Sequence, residues 1–536
     1  MFNRIGGRSL QQCCQRSWKR SSTKRFSPTR RFSSNSAPIA GYTSSSSPLG
    51  GLTVELDRLA PKFELSASDI RILDSPATFY AALKDKIRNA KRRVYLSTLY
   101  IGKTEHELIS VLGESLKANP SLKVSILTDA LRGTRESPKA SCASLLASLV
   151  EEFGPDRVEI RMFHTPNFVG LKKKYVPKRI NEGWGLQHMK LYGIDDEIIL
   201  SGANLSDDYF TNRLDRYHVF NSKELTDYYA RIHHAVSNAS FRVLPDKQHK
   251  NGYILEWPAT NSAPSPLDNP EDFIAATSVI LSNLIQPSKA TKSSSAPVSG
   301  GRTFVYPVAQ FTPLLKPDQS TEFPVVTSIL SAMSTNPALK DCRWLFTAGY
   351  FNIHPVLSSL LIASTLPSST NSPTSQGTVL TASPWANGFY GSPGVSGMLP
   401  AAYTHLSARF LDRVALAQRT NSIQLKEWRR GTVGEPGGWT YHAKGLWITL
   451  PNESHPSLTF VGSSNYTKRS YSLDLEVGAV VVTTDDNLKR RLGEEMEWLQ
   501  VDSKPISRED LRKVERRVSW NVRLAMRIVE LVGGAL

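Results

Sequence analysis

The chain has 536 residues, a formal net charge of +17 and 40% hydrophobic residues. This composition is typical of a folded protein of about two to four domains and excludes disordered and fibrous classes. No apolar run of about 18 residues occurs, which argues against a transmembrane helix. Four cysteines are too few for a disulfide scaffold in a chain of this length.

The start of the chain is basic and rich in serine. Nine Lys and Arg residues precede the first acidic residue, Glu55. This composition is typical of a mitochondrial presequence, so we predict a presequence at 1–33 and a linker at 34–65. A disordered basic tail is the alternative. Without these nine cations the net charge falls to +8, which suits an anionic substrate or membrane surface and does not indicate nucleic acid.

Helices and strands alternate over residues 66–245, the first predicted domain. The predicted elements are a helix at Phe79–Ala90, a strand at Arg93–Leu99, a helix at Glu105–Leu116, a strand at Leu122–Leu127, a helix at Ala143–Phe153 and a strand at Val158–Phe163. Such alternation favours a sheet with helices on its faces.

Two low-complexity stretches, Pro258–Pro266 and Gln286–Gly301, interrupt this pattern, and we interpret 246–320 as a linker or insertion. Alternation resumes over 321–505, where Ser364–Gly377 is predicted to be a surface insertion. The predicted elements are a helix at Val325–Met333, a strand at Arg343–Thr347, a helix at Pro355–Ala363, a strand at Thr378–Ala382 and a helix at Ala401–Ala417. Two successive α/β halves suggest an internal repeat.

Both halves carry one polar motif: a histidine and a lysine two positions apart, a later asparagine, and an acidic residue 11 positions after that asparagine. Residues i and i+2 of a strand project from one face, so each histidine should project with its lysine. If the halves pack face to face, these groups meet in one cleft that suits a phosphodiester. The shared positions are His188, Lys190, Asn204 and Asp215 in the first half and His442, Lys444, Asn465 and Glu476 in the second.

Such a cleft can perform phosphoryl transfer. One imidazole can attack phosphorus while the other protonates the leaving group. Arg132 and Arg135 follow a predicted strand, where loops of α/β sheets meet ligands, so they are candidates to clamp a phosphate. Two exposed loop arginines are the alternative interpretation.

The spacing His-x-Lys-x4-Asp-x6-Gly-x-Asn, which runs from His188 to Asn204, resembles the signature of the phospholipase D superfamily. The second half resembles the partner copy, with Thr449 where the signature aspartate would fall. The resemblance implies an α/β fold with two tandem phospholipase D-like α/β/α sandwich halves, packed as a pseudo-dimer around one active site.

The stretches 201–213, 349–352 and 382–392 are similar to the CDP-alcohol-dependent phosphatidyltransferases of that superfamily. The resemblance implies transfer of a phosphatidyl group from CDP-diacylglycerol to glycerol 3-phosphate through a phosphohistidine, without a metal or another cofactor. With the predicted presequence, it implies a mitochondrial enzyme, peripheral on the matrix side of the inner membrane. The alternatives are a phospholipase D-type hydrolase or phosphodiesterase, a transferase that uses serine, and a non-catalytic relative that binds lipid or nucleic acid.

The resemblance also implies roles for the residues of the motif. His188 is the nucleophile, oriented by Glu476, and His442 is the acid and base, oriented by Asp215. The predicted catalytic set is His188, Lys190, Asp195, His442, Lys444, Asp215 and Glu476, of which Asp195 is also a candidate for a structural role. The predicted substrate-binding set is Asn204, Asn465, Ser201, Ser464, Arg132 and Arg135.

The last segment, 506–536, is basic and amphipathic. Apolar residues recur at spacings of three and four from Leu511, Ser507 is a plausible N-cap, and Gly533–Gly534 a plausible stop. This pattern predicts a helix that can lie on an anionic membrane surface. Packing of the helix onto the catalytic domain is the alternative.

Overall fold

The computed structural model describes residues 48–178, 180–287, 301–367 and 376–531. Several predicted features lie outside these residues: the presequence 1–33, most of the low-complexity run Gln286–Gly301, most of the insertion Ser364–Gly377, and Gly533–Gly534. No helix within the described ranges is both long enough and apolar enough to cross a membrane.

The first half of the chain forms a nine-stranded sheet. Its strands, in spatial order, are Tyr253–Glu256, Phe241–Pro245, Val158–Phe163, Lys123–Asp129, Arg93–Ser97, Leu191–Ile194, Glu197–Ser201, Tyr217–Asn221 and Ile70–Leu73. The longer helices of this lobe are Pro76–Arg88, His106–Ala118, Cys142–Phe153 and Lys223–Ser237. Leu83, Leu112 and Leu146 pack on one face of the sheet, and Ile232 packs on the other.

The second half forms another nine-stranded sheet. Its strands, in spatial order, are Phe63–Leu65, Thr303–Gln310, Glu476–Thr483, Leu458–Gly462, Lys444–Thr449, Arg343–Ala348, Gly377–Ala382, Ile423–Trp428 and Ser503–Pro505. Its longer helices are Pro48–Leu59, Pro270–Ile285, Glu322–Thr335, Pro355–Ala363, Leu399–Leu416, Asp486–Trp498 and Trp520–Leu531.

The two sheets repeat one topology. Eight successive strands, from Ile70–Leu73 to Phe241–Pro245 in the first sheet and from Thr303–Gln310 to Ser503–Pro505 in the second, have the same order and the same sequence of parallel and antiparallel pairings. The predicted α/β repeat is therefore confirmed. Buried apolar residues from both sheets belong to one cluster, so the lobes share a core.

Two segments that composition predicted to be linkers contain regular structure. Within 34–65, the strand Phe63–Leu65 pairs with Thr303–Gln310. The segment 246–320 contains the strands Tyr253–Glu256 and Thr303–Gln310 and the helix Pro270–Ile285. Composition did not reveal these elements, because Ser and Pro content does not report the apolar residues that pack into the shared core, such as Phe273.

The carboxyl-terminal segment also differs from its prediction. Two short 3-10 turns, Asp510–Arg512 and Val514–Arg516, precede the helix Trp520–Leu531, where the sequence predicted one helix from Ser507. The hydroxyl of Ser507 accepts the backbone N–H of Asp510 at 3.2 Å, ahead of the first 3-10 turn, so Ser507 does not cap the helix Trp520–Leu531.

The segment before this helix carries like charges at helical spacing. A continuous helix would set Arg512 beside Arg516 and Lys513 beside Arg517, and like charges at this spacing are unfavourable. In the observed path, the guanidinium of Arg516 instead lies 2.8 Å from the carboxylate of Glu427.

Candidate active site

The two motifs exchange backbone hydrogen bonds between the lobes. The N–H of His188 donates to the carbonyl of Leu475 at 2.9 Å, and the N–H of His442 donates to that of Leu214 at 2.8 Å. Each of these leucines directly precedes the acidic residue of its own motif. The backbone thereby carries each histidine next to the acid of the opposite lobe.

The side chains complete this exchange. The Nδ1 of His188 lies 3.0 Å from both carboxylate oxygens of Glu476, and the Nδ1 of His442 lies 2.6 Å from Oδ2 of Asp215. All four residues are buried. These contacts cross the interface as the resemblance implied.

The two lysines of the motifs are also buried in this cluster. Lys190 Nζ donates to the carbonyl of His188 and Lys444 Nζ to that of His442, each at 2.7 Å. Lys444 Nζ also lies 3.4 Å from Asp215. Burial lowers the pKa of Lys190 to about 7 and that of Lys444 to about 8, so either ammonium can lose its proton near neutral pH.

Burial also lowers the pKa of both imidazoles, His188 and His442, well below the ordinary value. It raises the pKa of Glu476 to about 7, whereas Lys444 and the nearby imidazole outweigh burial at Asp215 and lower its pKa. A neutral imidazole whose Nδ1–H donates to a carboxylate keeps a lone pair on Nε2. This form can act as a nucleophile or a base.

Each motif asparagine follows a strand that ends near this cluster. Asn204 Nδ2 donates to the hydroxyl of Tyr209 at 3.2 Å, and that hydroxyl lies 3.2 Å from Nε2 of His442. The Oδ1 of Asn465 is buried without a hydrogen-bond partner in the part of the chain that the structure describes. That oxygen can accept a hydrogen bond from a bound substrate.

The two predicted substrate-binding serines bond protein groups. The hydroxyl of Ser201 donates to the carbonyl oxygen of Arg216 at 2.6 Å. The hydroxyl of Ser464 accepts the backbone N–H of Tyr466 at 3.2 Å. Their contacts hold the ends of the strands, and a direct role in binding substrate stays a prediction.

Asp195 lies apart from the cluster, at the opposite end of the strand Leu191–Ile194 from Lys190. Its carboxylate accepts the backbone N–H groups of Lys91, Arg92 and Arg93 at 2.7 to 3.1 Å. The inclusion of Asp195 among the catalytic residues is therefore corrected to a structural role. Sequence spacing alone did not reveal that the strand carries it away from the histidine.

The two arginines predicted to clamp a phosphate form ion pairs within the protein. Arg132 donates to Glu136 at 3.0 Å and lies 4.1 Å from the ring centroid of Tyr100. Arg135 pairs with Glu182. Their predicted role as a phosphate clamp stays a prediction.

Arg216 was missed in the sequence, although it directly follows Asp215 and is fully buried. Its Nε and Nη2 each donate to Glu495 of the other lobe at 2.8 Å, and its guanidinium lies 3.8 Å from the ring centroid of Trp447. His218 Nε2 also lies 2.8 Å from Glu495. The sequence did offer a signal for Arg216, because a charged residue directly before a mostly apolar strand needs a buried partner.

The fold and the exchanged pairs define a two-lobed protein of the phospholipase D type. A family model described as "Cardiolipin synthase, PLD-like domain" matches residues 83–236. The solved phosphatidylserine synthase of Haemophilus influenzae Rd KW20 has a similar fold, with a TM-score of 0.65, 19% identity, and coverage of 90% of this chain and 97% of that one. Among the described residues, no three His, Cys, Asp or Glu side chains are grouped to hold a metal ion.

Curated relatives cover most of this chain. A CDP-diacylglycerol–glycerol-3-phosphate 3-phosphatidyltransferase of Saccharomyces cerevisiae is 44% identical over 87% of this chain and 88% of its own length. The Schizosaccharomyces pombe protein of that name is 41% identical over 86% of this chain and 95% of its own length. The human mitochondrial protein of that name is 35% identical over 88% of this chain and 84% of its own length. The chain belongs to the CDP-diacylglycerol–glycerol-3-phosphate 3-phosphatidyltransferase family.

Proposed function

We propose that this chain transfers the phosphatidyl group of CDP-diacylglycerol to the 1-hydroxyl of glycerol 3-phosphate and releases CMP. The observation that carries the proposal is the exchange of the pairs His188–Glu476 and His442–Asp215 between the lobes. The exchange assembles two imidazoles, each held by a carboxylate, at one interface. The names of the relatives support the identity of both substrates.

In the first step, Nε2 of His188 attacks the phosphatidyl phosphorus. The bond from that phosphorus to the CMP oxygen breaks, and His442, which enters this step as an imidazolium stabilised by Asp215, donates its Nε2 proton to the departing oxygen and becomes neutral. Glu476 accepts the hydrogen bond from Nδ1 of His188 and stabilises the positive charge that develops on this ring. The product is a phosphatidyl-histidine.

In the second step, His442 takes the proton of the 1-hydroxyl of glycerol 3-phosphate. The resulting oxygen attacks phosphorus, the bond to Nε2 of His188 breaks, and phosphatidylglycerophosphate leaves. The ammonium groups of Lys190 and Lys444 and the amides of Asn204 and Asn465 stabilise the negative charge on the non-bridging oxygens.

Purified protein with labelled CDP-diacylglycerol tests the reaction, with glycerol 3-phosphate, serine or water offered separately. CMP release that depends on glycerol 3-phosphate is the expected result. Equal release with water alone would indicate a hydrolase, and release that depends on serine would indicate a serine-using transferase.

The nucleophile is tested by acid quenching the reaction and recovering labelled protein. His188→Ala should abolish the labelled phosphatidyl-enzyme, because no other group in the proposal forms a bond to phosphorus. His249→Ala is a matched control outside the cluster and should retain the label. Labelling of His188→Ala at the wild-type level would reject the assignment.

We also infer that the enzyme acts in the mitochondrion, at the matrix face of the inner membrane, and that residues 1–33 target it there. CDP-diacylglycerol is a membrane lipid, so the enzyme must contact the bilayer. The helix Trp520–Leu531 is the proposed contact: Trp520 is 76% exposed and Leu524 48%, with Arg523 beside them, while Met526 packs against the protein.

Flotation with liposomes that contain anionic lipid tests this contact. The double variant Trp520→Ser/Leu524→Ser should float less, because both side chains are exposed and available to the bilayer. Val279→Ser, at a residue 66% exposed on another helix, is the matched control. Unchanged flotation of the double variant would eliminate this helix as the anchor.

A further inference from the structure

One ion pair occurs in both lobes with its charges reversed. In the first lobe, Asp208 and Arg213 stand four and nine positions after the motif asparagine, and Nη2 of Arg213 lies 2.9 Å from Oδ2 of Asp208. At the equivalent positions of the second lobe, Nε of Arg469 lies 3.2 Å from Oδ2 of Asp474. The backbone repeats while the signs of the charges do not.

The arginine of the first lobe faces His442. Nη1 of Arg213 donates to the hydroxyl of Tyr209 at 3.1 Å, and this hydroxyl lies 3.2 Å from Nε2 of His442. The second lobe has Ser470 in place of Tyr209. Tyr350 adds a further ring, with its centroid 5.3 Å from that of His442. One side of the site therefore carries a guanidinium and two aromatic rings.

The aspartate of the second lobe faces His188. Asp474 accepts the backbone N–H of Leu186, two residues before this histidine, at 3.0 Å. Burial lowers the pKa of both imidazoles, but Asp474 opposes this effect at His188, whereas Arg213 adds to it at His442. Asp474 and Arg213 therefore act in opposite directions on these two pKa values, although Arg469 also lowers the pKa of His188 and Asp215 raises that of His442.

Arg213 has donors for a ligand. Among the described residues, its three nitrogens donate to Thr440, Tyr209 and Asp208, and two of the five N–H donors of a guanidinium are left for another acceptor. A Cβ atom at Gly388 would lie 2.8 Å from Nη2 of Arg213, so the backbone of Gly388 packs closely beside the guanidinium and a side chain there would displace it.

The chemistry of the two steps requires an anion on this side. A group displaced by His188 leaves opposite to the attack, towards His442, and the acceptor enters from the same direction because His442 takes its proton. The leaving group and the acceptor of the proposed function, CMP and glycerol 3-phosphate, both carry a phosphate monoester. Both phosphates must therefore be accommodated on the His442 side.

We propose that Arg213 binds the phosphate of CMP in the first step and that of glycerol 3-phosphate in the second. This inference rests on the proposed function and adds a residue that determines acceptor specificity. The reversed pair gives the symmetric motif a direction: the positive side receives the group that carries a second phosphate, and the side of Asp474 does not.

The test compares acceptors with and without a phosphate. For Arg213→Gln, the KM for glycerol 3-phosphate should rise roughly 10- to 100-fold, the range expected for loss of a charge-assisted hydrogen bond. The value of kcat/KM for glycerol, which in a two-step mechanism reports the second step alone, should change less than about threefold by the same reasoning. Arg213→Lys should recover part of the preference, and Arg242→Gln, on a strand far along the first sheet, should not alter it.

An equal loss with both acceptors would overturn the proposal, because it would assign Arg213 to support of Tyr209 and His442 alone. Gly388→Ala provides a second variant that keeps the guanidinium, and it should lower the same preference, because a Cβ atom 2.8 Å from Nη2 displaces Arg213 from its position. Product inhibition by CMP provides a readout that is independent of the acceptor. Its Ki should rise in Arg213→Gln even if water or serine is the true acceptor, and an unchanged Ki would reject CMP binding by Arg213.

Discussion

Replacement of Glu495 by glutamine should destabilise the joint between the lobes. Glu495 accepts two hydrogen bonds from Arg216 and lies 2.8 Å from His218 Nε2, and Trp447 Nε1 donates to it at 3.1 Å. All of these residues are buried. Burial opposes the carboxylate, but Arg216 and His218 outweigh it and hold the pKa of Glu495 well below its usual range. Glutamine would leave the guanidinium buried without its counter-charge.

Removing one partner of a buried ion pair costs about 3–5 kcal/mol. An unfolding entropy of about 2.1 cal/mol/K per residue, over roughly 460 described residues, corresponds to about 1 kcal/mol per degree. The melting temperature of Glu495→Gln at pH 7.5 should therefore fall by about 3–5 °C. Scanning calorimetry measures this shift, with Glu494→Gln, whose side chain is 54% exposed, as the matched control.

The control should lie within about 0.5 kcal/mol of the wild type, because its ion pair is exposed. Since the folded-state pKa of Glu495 is lowered, its contribution is complete above the unfolded carboxyl pKa of about 4.3 and is lost as pH falls below it. The difference between Glu495→Gln and the wild type should shrink accordingly in acid. Equal melting temperatures for the two Gln variants at pH 7.5 would refute the reasoning.

Three further predictions concern the site. The value of kcat/KM should decline as pH rises through about 7 to 8, because Lys190 and Lys444 lose the charge that binds phosphate. A flat profile of kcat/KM up to pH 9 would contradict this role. Asp195→Ala should lower the free energy of unfolding by about 2–3 kcal/mol while the kcat of the folded fraction stays near wild type, as thermal denaturation and single-turnover assays can show. Gly202→Ala would place a Cβ atom 2.7 Å from Oδ1 of Asp215, and it should reduce kcat about 100-fold without loss of melting temperature.

The helices and strands that local patterns predicted between Phe79 and Ala417 all occur in the structure. The strand Val158–Phe163 and the helix Pro355–Ala363 have the predicted bounds, because apolar periodicity and a clear start signal mark both. The strand Phe63–Leu65 was missed because its partner lies some 240 residues away along the chain. Pairing over such a separation leaves no local signal.

The polar residues of the site could be found from the repeat, but their partners could not. The spacing of the two motifs identified both histidines and both acids. The position of the Tyr209 hydroxyl beside His442 depends on how the lobes pack together, which the spacing does not show. The error at Asp195 has the same origin, since the direction of a strand decides which end of the motif reaches the cleft.

The exchange of acids between the lobes makes each copy of the motif depend on the other. Each imidazole contacts a carboxylate that lies 227 or 288 positions away, in the opposite copy of the motif. Neither copy alone contains a complete histidine–carboxylate pair, so separating the lobes would dismantle both pairs at once. The dependence does not require the copies to be identical, since Thr449 and the reversed charges of Arg213 and Asp474 occur within one chain.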